Sequence, residues 1–316
     1  MNGQRMLSLV LTAAIIGCAK NDQPSKTAGA KQPAQETNAQ IDDAMNAQLE
    51  ALGYFKKNEK RPTVKAENNP YENVDLSHFM EGIDGTFVFY DLRRDIQIVE
   101  NPERAETRFS PCSTFKIPNT LISLETGAAT GPLMEIKWDQ TEYPKEKWWD
   151  EVLKPMGIRW DRDHTLKSAF QNSCVWYFRE LAKKIGPENM QTFLDKFDYG
   201  NKDISGGIDS FWLESTLKIS ALEQVAFIKK FVQNTLPIRK KTQTEALQVF
   251  EREKKDAGTL YAKTGGGNGI GWFVGFIEHG QDNYIFAFNM AGTYRDVSDK
   301  RVDLSTKMLQ ELGVWF

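Results

Sequence analysis

Phe109-Ser110-Pro111-Cys112-Ser113-Thr114-Phe115-Lys116-Ile117-Pro118 sets a hydroxyl three residues ahead of an amine. If a helix begins near Ser113, Ser113 and Lys116 share one face and come within reach of each other. The N-terminus of such a helix also offers backbone N–H groups and a positive dipole end to an oxyanion. A serine hydroxyl is a weak nucleophile at its own pKa and needs a base beside it. Lysine can be that base only if burial lowers its pKa, and Phe115, Ile117 and Leu121 could supply apolar walls. Taken alone, S-x-x-K equally describes an ordinary serine near a helix start with a lysine reaching for water.

Working outward, the pattern runs from β to helix and back to β. Residues 85–91 and 96–99 read as strands joined by a turn. Residues 113–126 read as the motif helix, closed by Gly127, with Pro118 tolerated near its start. The segment 131–197 is helical in pattern and rich in tryptophan, with one helix over 166–185 stopped at Gly186-Pro187 and another over 188–197. A loop with three glycines covers 199–212, helix returns over 216–232, and 244–253 is a short amphipathic stretch. Residues 259–265, 271–277 and 284–290 read as strands, and 299–312 as a closing helix. Strands at both ends with helices between predict an α+β fold: one antiparallel sheet flanked by helices, with an inserted all-helical region.

The N-terminal part reads differently. Arg5 precedes an apolar run over 6–16 that is too short to span a bilayer and fits an export signal. It ends Ile15-Ile16-Gly17-Cys18, which resembles the bacterial lipobox, so residues 1–17 are expected to be a lipoprotein signal peptide and Cys18 its lipidation site. Stable anchoring takes more than one acyl chain, which a lipoprotein N-terminus carries. Ala19 follows and no Asp stands beside the cysteine, so an exported, periplasmic lipoprotein held at the outer membrane is expected. Residues 18–70 are polar and read as a flexible tether, with a short helix over 41–53. The globular domain is expected over 71–316.

Composition removes some function classes. The chain has 40 basic and 43 acidic residues and no basic stripe, so no nucleic-acid partner is expected. His78, His164 and His279 are far apart in sequence and no Cys/His cluster is present, so no metal site is expected.

Two further motifs join the first. Ser173-Cys174-Val175 lies between Ser113 and a late strand carrying Lys263-Thr264-Gly265. S-x-x-K and K-T-G in this order, with a serine motif between, form a penicillin-recognising set. Tyr199-Gly200-Asn201 and Phe211-Trp212-Leu213-Glu214 accompany them. On these residues the chain resembles the class D serine β-lactamases, the oxacillinase family, over residues 82–312.

The resemblance implies the fold shared by serine β-lactamases and penicillin-binding transpeptidases, and hydrolysis of β-lactam antibiotics with resistance as the outcome. It implies Ser113 as the acylated nucleophile and Lys116 as a general base carbamylated to N6-carboxylysine, needing carbon dioxide or bicarbonate and no other cofactor. Val175, Trp212 and Leu213 would form the carbamate pocket, with Trp212 donating its indole N–H. Ser173, helped by Lys263, would pass a proton to the departing lactam nitrogen. The N–H groups of Ser113 and Gly266 would form an oxyanion hole, and Gly265 would let the strand approach the substrate. Thr264 and Arg301 would hold the substrate carboxylate, with Arg295 a rival for the cation's role. Tyr199 and Asn201 would shape the loop beneath.

Cys112 and Cys174 each adjoin a motif serine, and export favours oxidation, so a Cys112–Cys174 disulfide is expected, against two buried thiols. Two other classes share part of the pattern. One is a β-lactam-sensing module that acylates without turnover. The other is a cell-wall D-alanyl-D-alanine peptidase, which usually lacks Y-G-N.

Overall fold

The computed structural model describes residues 69–316, apart from Asn268 and the side chain of Arg295. The signal peptide expected over 1–17, the Cys18 lipidation site and the tether expected over 18–70 lie outside the described residues, save for the tether's last two.

One antiparallel sheet organises the chain. Its strands are β1 (Gly85–Asp91), β2 (Ile96–Glu100), β5 (Glu251–Lys255), β6 (Gly258–Gly267), β7 (Gly269–His279) and β8 (Asp282–Gly292), in the order β2-β1-β8-β7-β6-β5. Two short strands, β3 (Glu135–Ile136) and β4 (His164–Thr165), pair separately. Every residue of β1 is buried, because both faces of the sheet are covered. On one face Phe87, Phe89, Phe286 and Phe288 share a core with Val297, Met308 and Leu309 of the closing helix α8 (Tyr294–Glu311). Against the other lies α6 (Ala221–Val232). The remaining helices are α1 (Pro102–Glu106), α2 (Lys116–Thr126), α3 (Leu166–Gln171), α4 (Val175–Ile185), α5 (Pro187–Phe197) and α7 (Lys240–Phe250). Glu146–Gly157 forms a unit of its own with two short helical turns, Trp149–Leu153 and Lys154–Met156.

The α+β reading holds, with local differences. The single helix expected over 166–185 is two helices. Ser173 takes φ 52, a left-handed conformation that ends one helix, and extended Cys174 starts the next. The stretch before β4 is far less helical than its pattern, since Gly131, Pro132, Pro144, Pro155 and Gly157 interrupt it. Two of its tryptophans find backbone partners instead: Trp138 Nε1 donates to Tyr143 O at 2.9 Å and Trp160 Nε1 to Asn172 O at 2.9 Å.

The helix expected from 216 starts only at Ala221, where Ser220 and Glu223 make a reciprocal cap. The residues before it run extended, and Ile219 bridges to Phe109 in both directions at 2.8 and 2.9 Å. The stretch expected over 244–253 divides between α7 and edge strand β5. The closing helix begins early, at Tyr294, on a Thr293–Asp296 capping box.

Gly275 sits opposite Ala262 in the β6–β7 ladder, and a Cβ there would lie 2.1 Å from Tyr261 O. Gly275→Ala is therefore expected to destabilise the domain by about 1–3 kcal/mol. The check is the urea midpoint, which should fall while the slope of the transition stays the same.

Candidate active site

Ser113 lies on a 3₁₀ turn, Cys112–Phe115, that runs straight into α2. The turn is tied down from two sides. Thr114 Oγ1 donates to Pro111 O at 2.7 Å and accepts from Gln224 Nε2 of α6 at 2.9 Å. Trp272 Nε1, on β7, donates to Ser110 O at 2.9 Å. Lys116 is the first residue of α2 and 0% exposed, with Nζ 2.9 Å from Ser113 Oγ and 5.4 Å from the centre of the Phe178 ring. Burial brings its pKa down to about 7. Near neutral pH much of the amine is therefore uncharged and can accept the Ser113 proton.

Phe115 joins this turn to the Phe211–Glu214 loop. Its ring stacks on Trp212, with centroids 5.3 Å apart, and meets Phe211 and Tyr199 edge-on at 4.9 and 5.8 Å. Ser110 Oγ donates to Trp212 O at 3.0 Å and accepts from the Glu214 N–H at 2.9 Å. Trp212 is fully buried, yet its Nε1 has no partner among the described residues. A buried orphan donor costs about 1–3 kcal/mol, so this N–H is a specific invitation to an acceptor. Leu213 follows it, half-buried, and Val175, also half-buried, opens the helix that carries Phe178. In Tyr199-Gly200-Asn201, Asn201 Nδ2 donates to Thr216 O and Gly200 packs so closely that a Cβ would fall 2.1 Å from Lys218 O. That element is a tight seam under the site.

The second serine stands beside the K-T-G strand. Lys263 Nζ is 2.9 Å from Ser173 Oγ and donates to Thr264 O at 2.8 Å. Burial, then the nearby Lys116 charge, pull the Lys263 pKa well below its usual value. Arg301, on α8 and 5% exposed, donates from Nη1 to Gly265 O at 3.1 Å, while its buried Nε has no partner among the described residues. Nothing is described for the side chain of its rival, Arg295. A Cβ on Gly265 would lie 2.9 Å from both Pro111 O and Thr114 Cγ2. Gly265 therefore makes room for the nucleophile turn rather than for a substrate. A Cβ on Gly266 would lie 2.7 Å from Arg301 Nη1.

The expected Cys112–Cys174 bridge is absent; both residues are free, buried thiols. Cys112 Sγ points back to Ser110 Oγ at 3.7 Å, whereas Cys174 is the extended residue ahead of α4. Burial raises the thiol pKa of Cys112 to about 11 and of Cys174 to about 12, so neither is a ready thiolate.

Three anchoring residues had no role in the sequence reading: Ser110, Gln224 and Trp272. Ser110 lies inside the opening stretch, but its partners are more than a hundred residues away, so spacing carries no trace of them.

The arrangement is two hydroxyl–amine pairs, with a buried guanidinium from α8 bonded to the strand that carries Lys263. It can transfer an acyl group to Ser113, supply a proton from Ser173 and bind a carboxylate.

The penicillin binding protein transpeptidase domain family matches residues 64–309. The probable β-lactamase YbxI of Bacillus subtilis (strain 168) is 40% identical over 234 residues, which are 73% of this chain and 82% of that protein. β-Lactamase OXA-5 of Pseudomonas aeruginosa is 36% identical over 242 residues, 74% of this chain and 86% of that protein. The solved structure of BPu1 β-lactamase aligns with a TM-score of 0.68 at 39% identity, covering 76% of this chain and 97% of that one.

Two outcomes are expected. Thiol titration of the denatured protein, without reductant, should find both Cys112 and Cys174 reactive. The rate of Ser113 acylation should fall about tenfold per pH unit once pH drops below about 7. The sign follows from the amine, which is neutral and able to take a proton above that pH and charged below it. A stopped-flow profile between pH 5 and pH 9 checks this.

Proposed function

We propose a two-step acyl-transfer cycle on Ser113 for this chain, which belongs to the class D serine β-lactamases and so hydrolyses β-lactam antibiotics. Ser113 Oγ attacks the lactam carbonyl, and its proton moves to the base at Lys116, 2.9 Å away. The carbonyl oxygen gathers charge against the N–H groups of Ser113 and Gly266. Donors of this kind are worth about 3–4 kcal/mol each. As the C–N bond breaks, the nitrogen takes the Ser173 hydroxyl proton; Lys263 Nζ, 2.9 Å away, replaces it with the proton that the base at Lys116 took from Ser113, which frees that base for the next step. Thr264 and the Arg301 guanidinium hold the substrate carboxylate, for which a planar fork of donors is well shaped. Water then attacks the acyl carbon, giving its proton to the base at Lys116, and Ser113 leaves with its hydroxyl restored.

The pocket fits a carbamate on Lys116. The amine is buried and close to neutral at pH 7, Trp212 Nε1 lacks an acceptor, and Val175 and Leu213 are apolar neighbours of that wall. When present, formed as the neutral amine takes up carbon dioxide and releases a proton, the carbamate would supply an anionic base that can accept the Ser113 proton. The observation that carries the reading is the fully buried Lys116 amine in hydrogen-bond reach of Ser113 Oγ.

For the cell, the activity means resistance. We take the enzyme as an exported lipoprotein anchored through Cys18 at the outer membrane, a reading supported by the Ile15-Ile16-Gly17-Cys18 ending.

Lys116→Ala is expected to acylate slowly and to lose turnover of a chromogenic cephalosporin by about 10²–10⁴-fold. Normal turnover in that variant would refute the role given to Lys116. Added bicarbonate should speed the wild type, and Trp212→Phe should need more of it for half-maximal rate. A wild type that releases one equivalent of product and then stalls would be a sensor instead.

A further inference from the structure

Beside Lys263 and Thr264 the surface opens into a cleft of about 400 Å³. Phe170 and Gln171 line one side of it, and Phe250 and Arg252 belong to the strand and helix end on the other. Its position along β6 is informative. Thr264 precedes Gly266 by two residues, about 7 Å along a strand. With the lactam carbonyl at Gly266 and the carboxylate at Thr264, the cleft continues past the carboxylate. A substituent on the carboxylate-bearing ring would extend into it.

Arg252 is the cation lining this cleft that the catalytic cycle does not use. It falls at the register break of β5, where Glu251 pairs with Tyr261 and Glu253 with Leu260, leaving Arg252 as the extra residue. The break aims its side chain across the sheet: the guanidinium carbon lies 5.4 Å from the centre of the Phe273 ring. Phe273 is the register partner of Thr264, and paired residues project to the same face. The Arg252 charge thus sits one side chain away from the threonine that meets the carboxylate.

Its electrostatic reach agrees. The Arg252 charge lowers the pKa of both Lys263 and Arg301; its side chain is exposed on the edge strand, yet desolvation by the groups packed beside it lowers its own. Among the described residues it forms no ion pair. Glu253 shares its side of the strand and tempers its charge from a distance, while Glu251, paired with Tyr261, takes the opposite face.

Around one threonine there are therefore three basic side chains. Ser173 occupies Lys263, and Arg301 suffices for one carboxylate. We propose that Arg252 forms a second anion-binding point, so that this enzyme favours β-lactams bearing an extra acidic group on the substituent of the carboxylate-bearing ring. The proposal rests on the β-lactamase reading above and adds a specificity residue to it.

The test compares two cephalosporins with the same mandelamido side chain. They differ only in a methyl or a sulfomethyl group on the tetrazole carried at C3. The readout is the ratio of kcat/KM for the sulfonated over the neutral compound. Arg252→Ala should lower that ratio about tenfold, the size of losing one charge-assisted hydrogen bond, with the change carried by KM. Arg252→Lys should recover much of it, and Glu253→Gln should raise it. If Arg252→Ala leaves the ratio within twofold of wild type, the second anion point is overturned while the enzyme's function stands. If the wild type hydrolyses neither compound nor any simple penicillin, the β-lactamase reading fails and takes the proposal with it.

Discussion

Keeping water away from one amine is the constraint on which the rest of the structure depends. A lysine ammonium moved out of water loses solvation that nothing else in its pocket restores, so the uncharged form prevails nearer neutral pH. The walls that exclude water are also the fold's own joints. Phe178 comes from α4, and the Phe115–Trp212 stack fastens the nucleophile turn to a loop a hundred residues on. Chemistry and packing are here a single feature, since loosening the aromatic cluster would hydrate the amine and disable the serine together.

The second constraint is conformational. Cys112 and Ser173 hold φ of 48 and 52, a region in which non-glycine residues cost about 1–3 kcal/mol each. Both are residues of the serine motifs, one just before Ser113 and the other the serine itself. The surroundings determine them heavily. Gln224 and Trp272 pin the first turn, and Lys263 meets the second serine. The strain buys a fixed direction for two hydroxyl groups that ordinary helical backbone would have pointed elsewhere.

What could be read from the sequence follows this division. Ser113 and Lys116 meet because three residues separate them, and the strands declare themselves through dense aromatic and β-branched runs. Local spacing and composition are enough for such features. The break at Ser173 is different, because no propensity announces a left-handed serine inside an otherwise helical pattern. Ser110 and Gln224 act only through distant partners. The closeness of the neighbouring serines suggests a bridge between Cys112 and Cys174, but backbone closeness does not set where a thiol points. Arg252 lies at a bulge, and a register shift leaves no mark in a run of charged residues.

The two glycines of the K-T-G strand have a further meaning for how such an enzyme can change under selection. The space beside Gly265 is filled by Pro111 and Thr114, and that beside Gly266 by Arg301. Neither position can accept a larger side chain without pushing the strand off the Ser113 turn or displacing the Arg301 guanidinium. The innermost rail of the site is thus closed to evolutionary tinkering. Under a new drug, adaptation has to come from the rim, where a bulge or loop can vary without moving the reacting atoms.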